Sequence, residues 1–307
     1  MTTQEEVHQG ALKIINAFNS PPFFIGRNGS TEMELLAFWQ IYRGRSSGDT
    51  WPEPLLKKLE QYSGIWPATS ESVDAWLKAY TESLRSLTGV AAGWYAPYAV
   101  AEDMLLRTFA PKAFRTPLRS LEPYYADPDK RWSASLKGKR VTVISSFAKS
   151  IAKQMENPLG IWSAVESPET LLPDNVKTVQ AFFPPLIARG DQTGWPAPVK
   201  GWSDAVDYLV EKTLETKPEV VLIGCGALGM IVGARLFQKG ISVILMGGAV
   251  QVLFGIKGQR WANHSVISKF WNSKWVWPLP EERPSAATAI EGACYWDAGS
   301  KPSTTPR

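Results

Sequence analysis

The stretch from Pro218 to Gly248 constrains this chain more than any other. Val220 to Ile223 is a short, continuous apolar run that suits a parallel strand buried on both faces. Gly224-Cys225-Gly226-Ala227-Leu228-Gly229 turns the chain, Met230 to Lys239 has helical periodicity, and Gly240 supplies a natural stop. Ile241 to Met246 is a second buried strand, closed by Gly247-Gly248. The result is a strand–helix–strand unit. It sets Gly224, Gly226, Gly247 and Gly248 at the carboxyl ends of strands, where open α/β sheets bind ligands.

The run GCGALG matches the dinucleotide spacing G-x-G-x-x-G in full. A nicotinamide site also needs an acid at the end of the second strand to bind the ribose hydroxyls. Here that position is Met246-Gly247-Gly248, and no Asp or Glu occurs between Glu219 and Glu281. A Rossmann oxidoreductase or methyltransferase using GCGALG therefore stands as the alternative reading. A phosphate on the following helix N-terminus stays open, as does a purely structural role in tight turning and close packing.

The rest of the chain can complete such a sheet. With 307 residues, 44% of them hydrophobic, it can bury one large core. Residues 3 to 18 suit an amphipathic helix, and Phe23 to Ile25 a first strand that delivers Gly26-Arg27-Asn28-Gly29-Ser30-Thr31-Glu32 to its carboxyl end. A helix follows to Trp39 or Tyr42, stopped by Gly44 and Ser46-Ser47-Gly48. The pattern over 51–110 is helical and reads as an insertion covering the sheet; 111–137 reads as a connection. Arg140 to Ser145 and Val176 to Phe183 are further strands, and Trp202 to Thr216 a helix. The expected architecture is α/β: a Rossmann-like, doubly wound, mostly parallel sheet with a helical insertion. Residues 1–280 form one domain, and 281–307 an irregular tail.

Composition excludes several functions. The net charge of +4 is mild and its basic residues are scattered, which argues against nucleic acid and tolerates an anionic small substrate. Two cysteines, Cys225 and Cys294, give neither a disulfide framework nor metal spacing, and Cys225 at a strand end reads as an inert thiol. His8 and His264 are the only histidines, too few for a His-rich zinc site. No run approaches the length of a transmembrane segment and no signal pattern opens the chain, so a soluble, cytoplasmic protein is expected.

Four loops lie at strand ends: 26–32, 146–150, 224–229 and 247–251. They carry Arg27, Gly29, Ser30, Glu32, Lys149, Ser150 and Gln251 together with the four glycines above. Backbone amides, one or two cations and a carboxylate suit a nucleoside diphosphate with a metal. Thr31 to Glu34 has the T-x-x-E capping-box spacing, which would account for Glu34 and leave Glu32 as the candidate metal ligand. Phe254-Gly255-Ile256-Lys257-Gly258-Gln259-Arg260-Trp261 then sets two cations and two aromatics among glycines. Arg260 reads either as a cation–π partner of Trp261 or as a fork for phosphate. Glu102 and Asp103, after the aromatic run Trp94 to Tyr98, are candidates for the base that deprotonates an acceptor hydroxyl.

The loop 26–32 resembles the R-x-G-D-x-E signature of GT-D-type glycosyltransferases. Leu136-Lys137-Gly138-Lys139-Arg140-Val141 continues the likeness. Gly247-Gly248-x-x-Gln251-x-x-Phe254-Gly255-Ile256-x-Gly258-x-Arg260-Trp261 is similar to the GGxxQxxFGIxGxRW run of bacterial and viral relatives of that group. The resemblance spans about residues 20 to 262 and implies a nucleotide-sugar donor and a divalent metal, Mn²⁺ or Mg²⁺, in a D-x-E site. Arg27, Gly29 and Glu32 carry over, whereas Ser30 stands in place of the motif's Asp. The expected activity is transfer of a sugar from a UDP- or GDP-sugar to a hydroxyl of a glycan or glycoconjugate, with Glu32, Arg260 and Asp103 as catalytic candidates. A non-catalytic nucleotide- or carbohydrate-binding protein is a further alternative.

Overall fold

The structure, a computed structural model, describes residues 2–42, 51–297 and 299. Its strands are β1 Phe24–Arg27, β2 Gly89–Ala91, β3 Phe114–Thr116, β4 Val141–Ser145, β5 Val176–Gln180, β6 Val220–Gly224 and β7 Ser242–Leu245. They form one seven-stranded sheet in the order β3-β2-β1-β7-β6-β4-β5, and every pairing is parallel. The α-helices among the described residues are α1 Gln4–Ala17, α2 Ser30–Tyr42, α3 Glu53–Lys58, α4 Ser70–Leu84, α5 Ala99–Phe109, α6 Ala148–Glu156, α7 Pro185–Ala188, α8 Trp202–Glu215, α9 Gly229–Gln238 and α10 Ala249–Leu253.

Successive strand residues point to opposite faces, and each face has its own core. Phe24, Val221, Ile223, Val243 and Leu245 pack into one, together with α2, α4, α5, α8 and α9. Ile25, Val220, Leu222 and Ile244 pack into the other, with α1, α6, α10, Trp132 and Trp296. Burial on both sides is why the strands read as continuous apolar runs rather than alternating ones. Helix α1 shows how locally specified the layers are. Thr3 and Glu6 close a capping box, and Val7, Ala11 and Ile14 form the buried stripe.

Two strands were hidden in the sequence. The stretch 51–110 contains three α-helices, but between α4 and α5 the chain returns to the sheet as β2; β3 lies within the supposed connection 111–137. Each is three residues long, too short to display a period. Residues 43–50, with the helix stop expected at Gly44 and Ser46 to Gly48, lie outside the described residues, as does most of the tail beyond 297. The stretch 280–296 is irregular, built of turns and short 3-10 segments, yet Glu282, Arg283, Cys294 and Trp296 are buried in it. Among the described residues no helix is long and apolar enough to cross a membrane.

Strands β1 and β7 are neighbours, but the helices that follow them diverge. Met33, Leu35 and Leu36 of α2 enter one core, and Ala249, Val250 and Leu253 of α10 enter the other. The loops after β1 and β7 therefore separate and leave a crevice at the carboxyl edge, as expected where winding direction reverses.

Candidate functional site

A cavity of about 470 Å³ runs along this carboxyl edge, with walls from all seven strand ends. Arg27 ends β1 at its centre. The guanidinium lies over the Trp94 ring at 4.4 Å and beside Gly247, whose missing side chain would come within 3.4 Å of Nη1. Gly247 has φ 64°, a backbone conformation that favours glycine. Arg27 forms no ion pair among the described residues.

The adjoining Asn28 explains why this arrangement is stiff. Its Nδ2 donates to Glu102 Oε1 at 2.7 Å and its Oδ1 accepts from the Tyr80 hydroxyl at 2.7 Å. Its carbonyl accepts from Trp94 Nε1 at 3.1 Å, and Glu102 Oε2 accepts from the Gly93 amide at 2.7 Å. A buried polar network satisfied this fully holds one geometry. Glu102 is thereby committed to structure. Asp103, the other carboxylate considered as a base, is exposed on α5, pairs with Arg107 at 2.6 Å and lies outside the cavity.

Helix α2 starts two residues earlier than the capping-box spacing suggests. It begins at Ser30, with the Met33 amide bonded to the Gly29 carbonyl at 2.9 Å. Glu34 instead pairs with Lys58 on α3 at 2.8 Å. Glu32 folds back over Gly29: a Cβ there would lie 1.9 Å from Oε2. Burial raises its pKa above the usual carboxylate range, against the pull of its own backbone N–H and of Arg27. Gly29→Ala is therefore expected to displace the Glu32 carboxylate while leaving the fold intact. Turnover should fall at least tenfold with little change in melting temperature, on the scale of a misplaced reacting group; equal activity would detach Glu32 from catalysis.

Sequence reasoning missed Glu122, Tyr124 and Tyr295, all of which line the cavity. Glu122 follows β3 through a 3-10 turn, so overlooking β3 meant overlooking its strand end. Burial pushes its carboxyl up to about 7, offset in part by the Tyr124 phenol, Arg27 and Arg119. A carboxylate that titrates near neutrality is suited to accept a proton from a hydroxyl.

The run 247–261 brings Arg260 to the cavity wall beside Gly248. Nη1 donates to the Tyr295 hydroxyl at 2.6 Å, and Nη2 pairs with Glu291 at 2.9 Å. The guanidinium also lies 4.8 Å from the Tyr295 ring and 5.8 Å from that of Trp261. Gln251 does not reach the cavity. It is buried, and its Nε2 donates to the carbonyls of Lys257 and Tyr295, tying the 257–261 turn to the C-terminal stretch.

Lys149 and Ser150 also stay out of the cavity. Their amides at the start of α6 donate to Glu282 Oε1 at 2.8 and 3.2 Å, and the Ser150 hydroxyl donates to its Oε2. The anion that a helix N-terminus favours is here the chain's own carboxylate. Glu282→Gln should accordingly destabilise the protein by about 1–3 kcal/mol in denaturant unfolding, the cost of disturbing a buried charge-assisted bond. An unchanged midpoint would assign the α6 cap to Ser145 or water instead.

The glycines of GCGALG are required by close packing, and Gly224 and Gly226 also line the cavity. A Cβ at Gly224 would meet the Gly247 carbonyl at 2.6 Å, one at Gly226 the Ser63 carbonyl at 3.0 Å, and one at Gly229 the Leu245 side chain at 2.6 Å. The face a dinucleotide would approach at the second glycine is covered by residue 63. Cys225 lines the cavity as a thiol, its pKa pushed by burial to about 12.

A divalent metal in the D-x-E manner would need a second donor beside Glu32. Ser30 stands at that position, and among the described residues no group of three His, Cys, Asp or Glu is arranged to hold a metal ion. The donor set does not fit a metal held by the chain itself. The cations that line the cavity are Arg27 and Arg260.

No family model matches this chain, and no curated protein matches it. Two solved structures are similar to it, each 12% identical over 80% of this chain and 83% of theirs, with TM-scores of 0.42 and 0.40. One is described as a highly conserved domain of unknown function 1792 with a distinct glycosyltransferase fold, the other as the selenomethionine-substituted structure of that domain. Likeness at this level fixes neither an activity nor a substrate.

Proposed function

We propose that this chain is a glycosyltransferase that moves a sugar from a nucleoside-diphosphate donor to an acceptor hydroxyl on a glycan or glycoconjugate. The observation that carries the reading is Arg27: a half-buried cation without an ion pair among the described residues, held rigidly at the switch-point crevice between β1 and β7. Arg27 and Arg260 flank the Gly247-Gly248 turn, whose lack of side chains lets a diphosphate approach the backbone.

In the proposed reaction the acceptor oxygen bonds to the anomeric carbon and gives its proton to Glu122. The bond from that carbon to the diphosphate oxygen breaks, and its electron pair stays on the diphosphate between the two guanidinium groups. Fixed cations at the point where charge develops stabilise the transition state more than the ground state. Glu32, buried within the field of Arg27, offers its carboxylate to the sugar hydroxyls.

Thermal-shift titration with UDP-, GDP- and TDP-sugars, each with and without Mn²⁺, tests the reading. At least one donor should raise the melting temperature, and transfer to a glycan should release the diphosphate. Failure of every nucleotide to bind would overturn it.

A further inference from the structure

The cleft is chemically divided along the sheet order. Its Asp, Glu, Lys and Arg residues come from the β1, β3 and β7 ends (Arg27, Glu32, Glu122 and Arg260), from Glu291 in the C-terminal stretch, and from Glu60 in the segment Leu59–Ser63. At the β4–β5 end the walls are Phe182, Phe183, Pro184, Trp195 and Tyr208, with no Asp, Glu, Lys or Arg among the lining residues contributed by β5, α8 and the loop before it. These rings are held in advance of any ligand. The Trp195 amide donates to the Phe183 carbonyl at 3.1 Å, the Phe183 amide to Thr193 at 2.9 Å, and Trp195 Nε1 to the Phe182 carbonyl at 3.1 Å. Phe182 and Tyr208 meet edge to face with centroids 6.2 Å apart.

A second observation points to a ligand with a polar edge. Ser63 lines the cavity beside Gly226, and its buried hydroxyl has no hydrogen-bond partner among the described residues. A buried polar atom left unpaired is costly, and a hydroxyl can turn to donate or accept. Ser63 closes the π-helical segment Leu59–Ser63, a type of helix distortion frequent at functional sites. Planar aromatic walls with one hydroxyl at their margin suit a flat heteroaromatic ring, which stacks on its faces and hydrogen-bonds at its rim.

We infer that the aromatic recess at the β4–β5 end, with Ser63 at its edge, binds the nucleobase of the donor, so that the donor lies along the strand ends with its sugar toward Trp94 and Glu122. This rests on the nucleotide-sugar reading above. From β5 to β7 is three strand spacings, about 14 Å, comparable with the reach from a base to its second phosphate. The acceptor then enters from the β2–β3 side.

The test compares UDP and GDP with inorganic pyrophosphate by calorimetry, on the parent chain and on Tyr208→Leu, Phe182→Leu and Ser63→Ala. One nucleoside diphosphate should bind at least tenfold more tightly than pyrophosphate. Tyr208→Leu or Phe182→Leu should weaken it by about ten- to a hundredfold, the value of one stacked base, and leave pyrophosphate unaffected. Ser63→Ala removes a single oxygen, so it reports even if the ring variants misfold, and it should narrow the difference between UDP and GDP. Nucleotide and pyrophosphate binding alike, unchanged by the variants, would overturn the base recess and leave the diphosphate site standing. Absence of binding by all three probes would overturn the nucleotide-sugar reading itself.

Discussion

Arg27→Ala is expected to lower turnover by about a hundred- to a thousandfold, the usual loss when one donor is removed from a preorganised anion site. The fold should hardly register the change. The side chain forms no ion pair among the described residues, and its contact with Trp94 is worth roughly 0.5–1 kcal/mol. Arg27→Lys keeps the charge but loses the two-pronged geometry and the flat stacking on Trp94, so it should recover only part of the rate. Steady-state kinetics beside thermal melting decides the matter. An alanine variant as active as the parent would mean that the diphosphate is held elsewhere.

Glu122→Gln should combine two effects that a structural residue would not show together. Loss of a positioned base lowers the rate by about a hundred- to ten-thousandfold. The parent's rate should rise with pH through about 7, where Glu122 ionises, and the variant's should lose that limb. Stability moves the other way. The carboxyl titrates near 7 when folded and at 4.5 when unconstrained, so the folded chain holds the proton more tightly between those values. Parent stability therefore falls as pH rises from 4.5 to about 7. Glutamine removes that penalty, so the variant gains relative stability above pH 7, and the gain vanishes below 4.5. Urea unfolding at pH 5 and pH 8, with a pH–rate profile, reads both. A variant that is slower but keeps the neutral limb would assign the proton transfer to another group.

The sheet was legible wherever a strand was long enough to bury both faces. Val141–Ser145, Val220–Gly224 and Ser242–Leu245 announce themselves as apolar runs, and the turns after the last two carry glycine. Gly89–Ala91 and Phe114–Thr116 do not, because three residues of pairing leave no pattern; the strand order completes them, not their own composition. The same blindness hid Glu122, which matters only because it stands at the end of β3. Arg27, Gly29 and Glu32 reach the cavity together because one short loop contains all three. Lys149, Ser150 and Gln251 have the right chemistry at the right strand ends, but Glu282 and the Tyr295 carbonyl, distant in sequence, claim them first. Which polar group meets a ligand and which meets another part of the chain depends on such long-range partners. Spacing cannot reveal them.

The stretch 280–296 closes over β-strand ends formed by residues far earlier in the chain. Tyr295 sits against Gly248 and Arg260, Glu282 caps α6, and Ala289 accepts a hydrogen bond from Gln61 at 2.7 Å. During synthesis all seven strands emerge before these residues do. The wall that Ile290, Glu291, Tyr295 and Trp296 give the cavity, and the part of the core that Ala287, Ala293 and Trp296 complete, are thus the last pieces to be made.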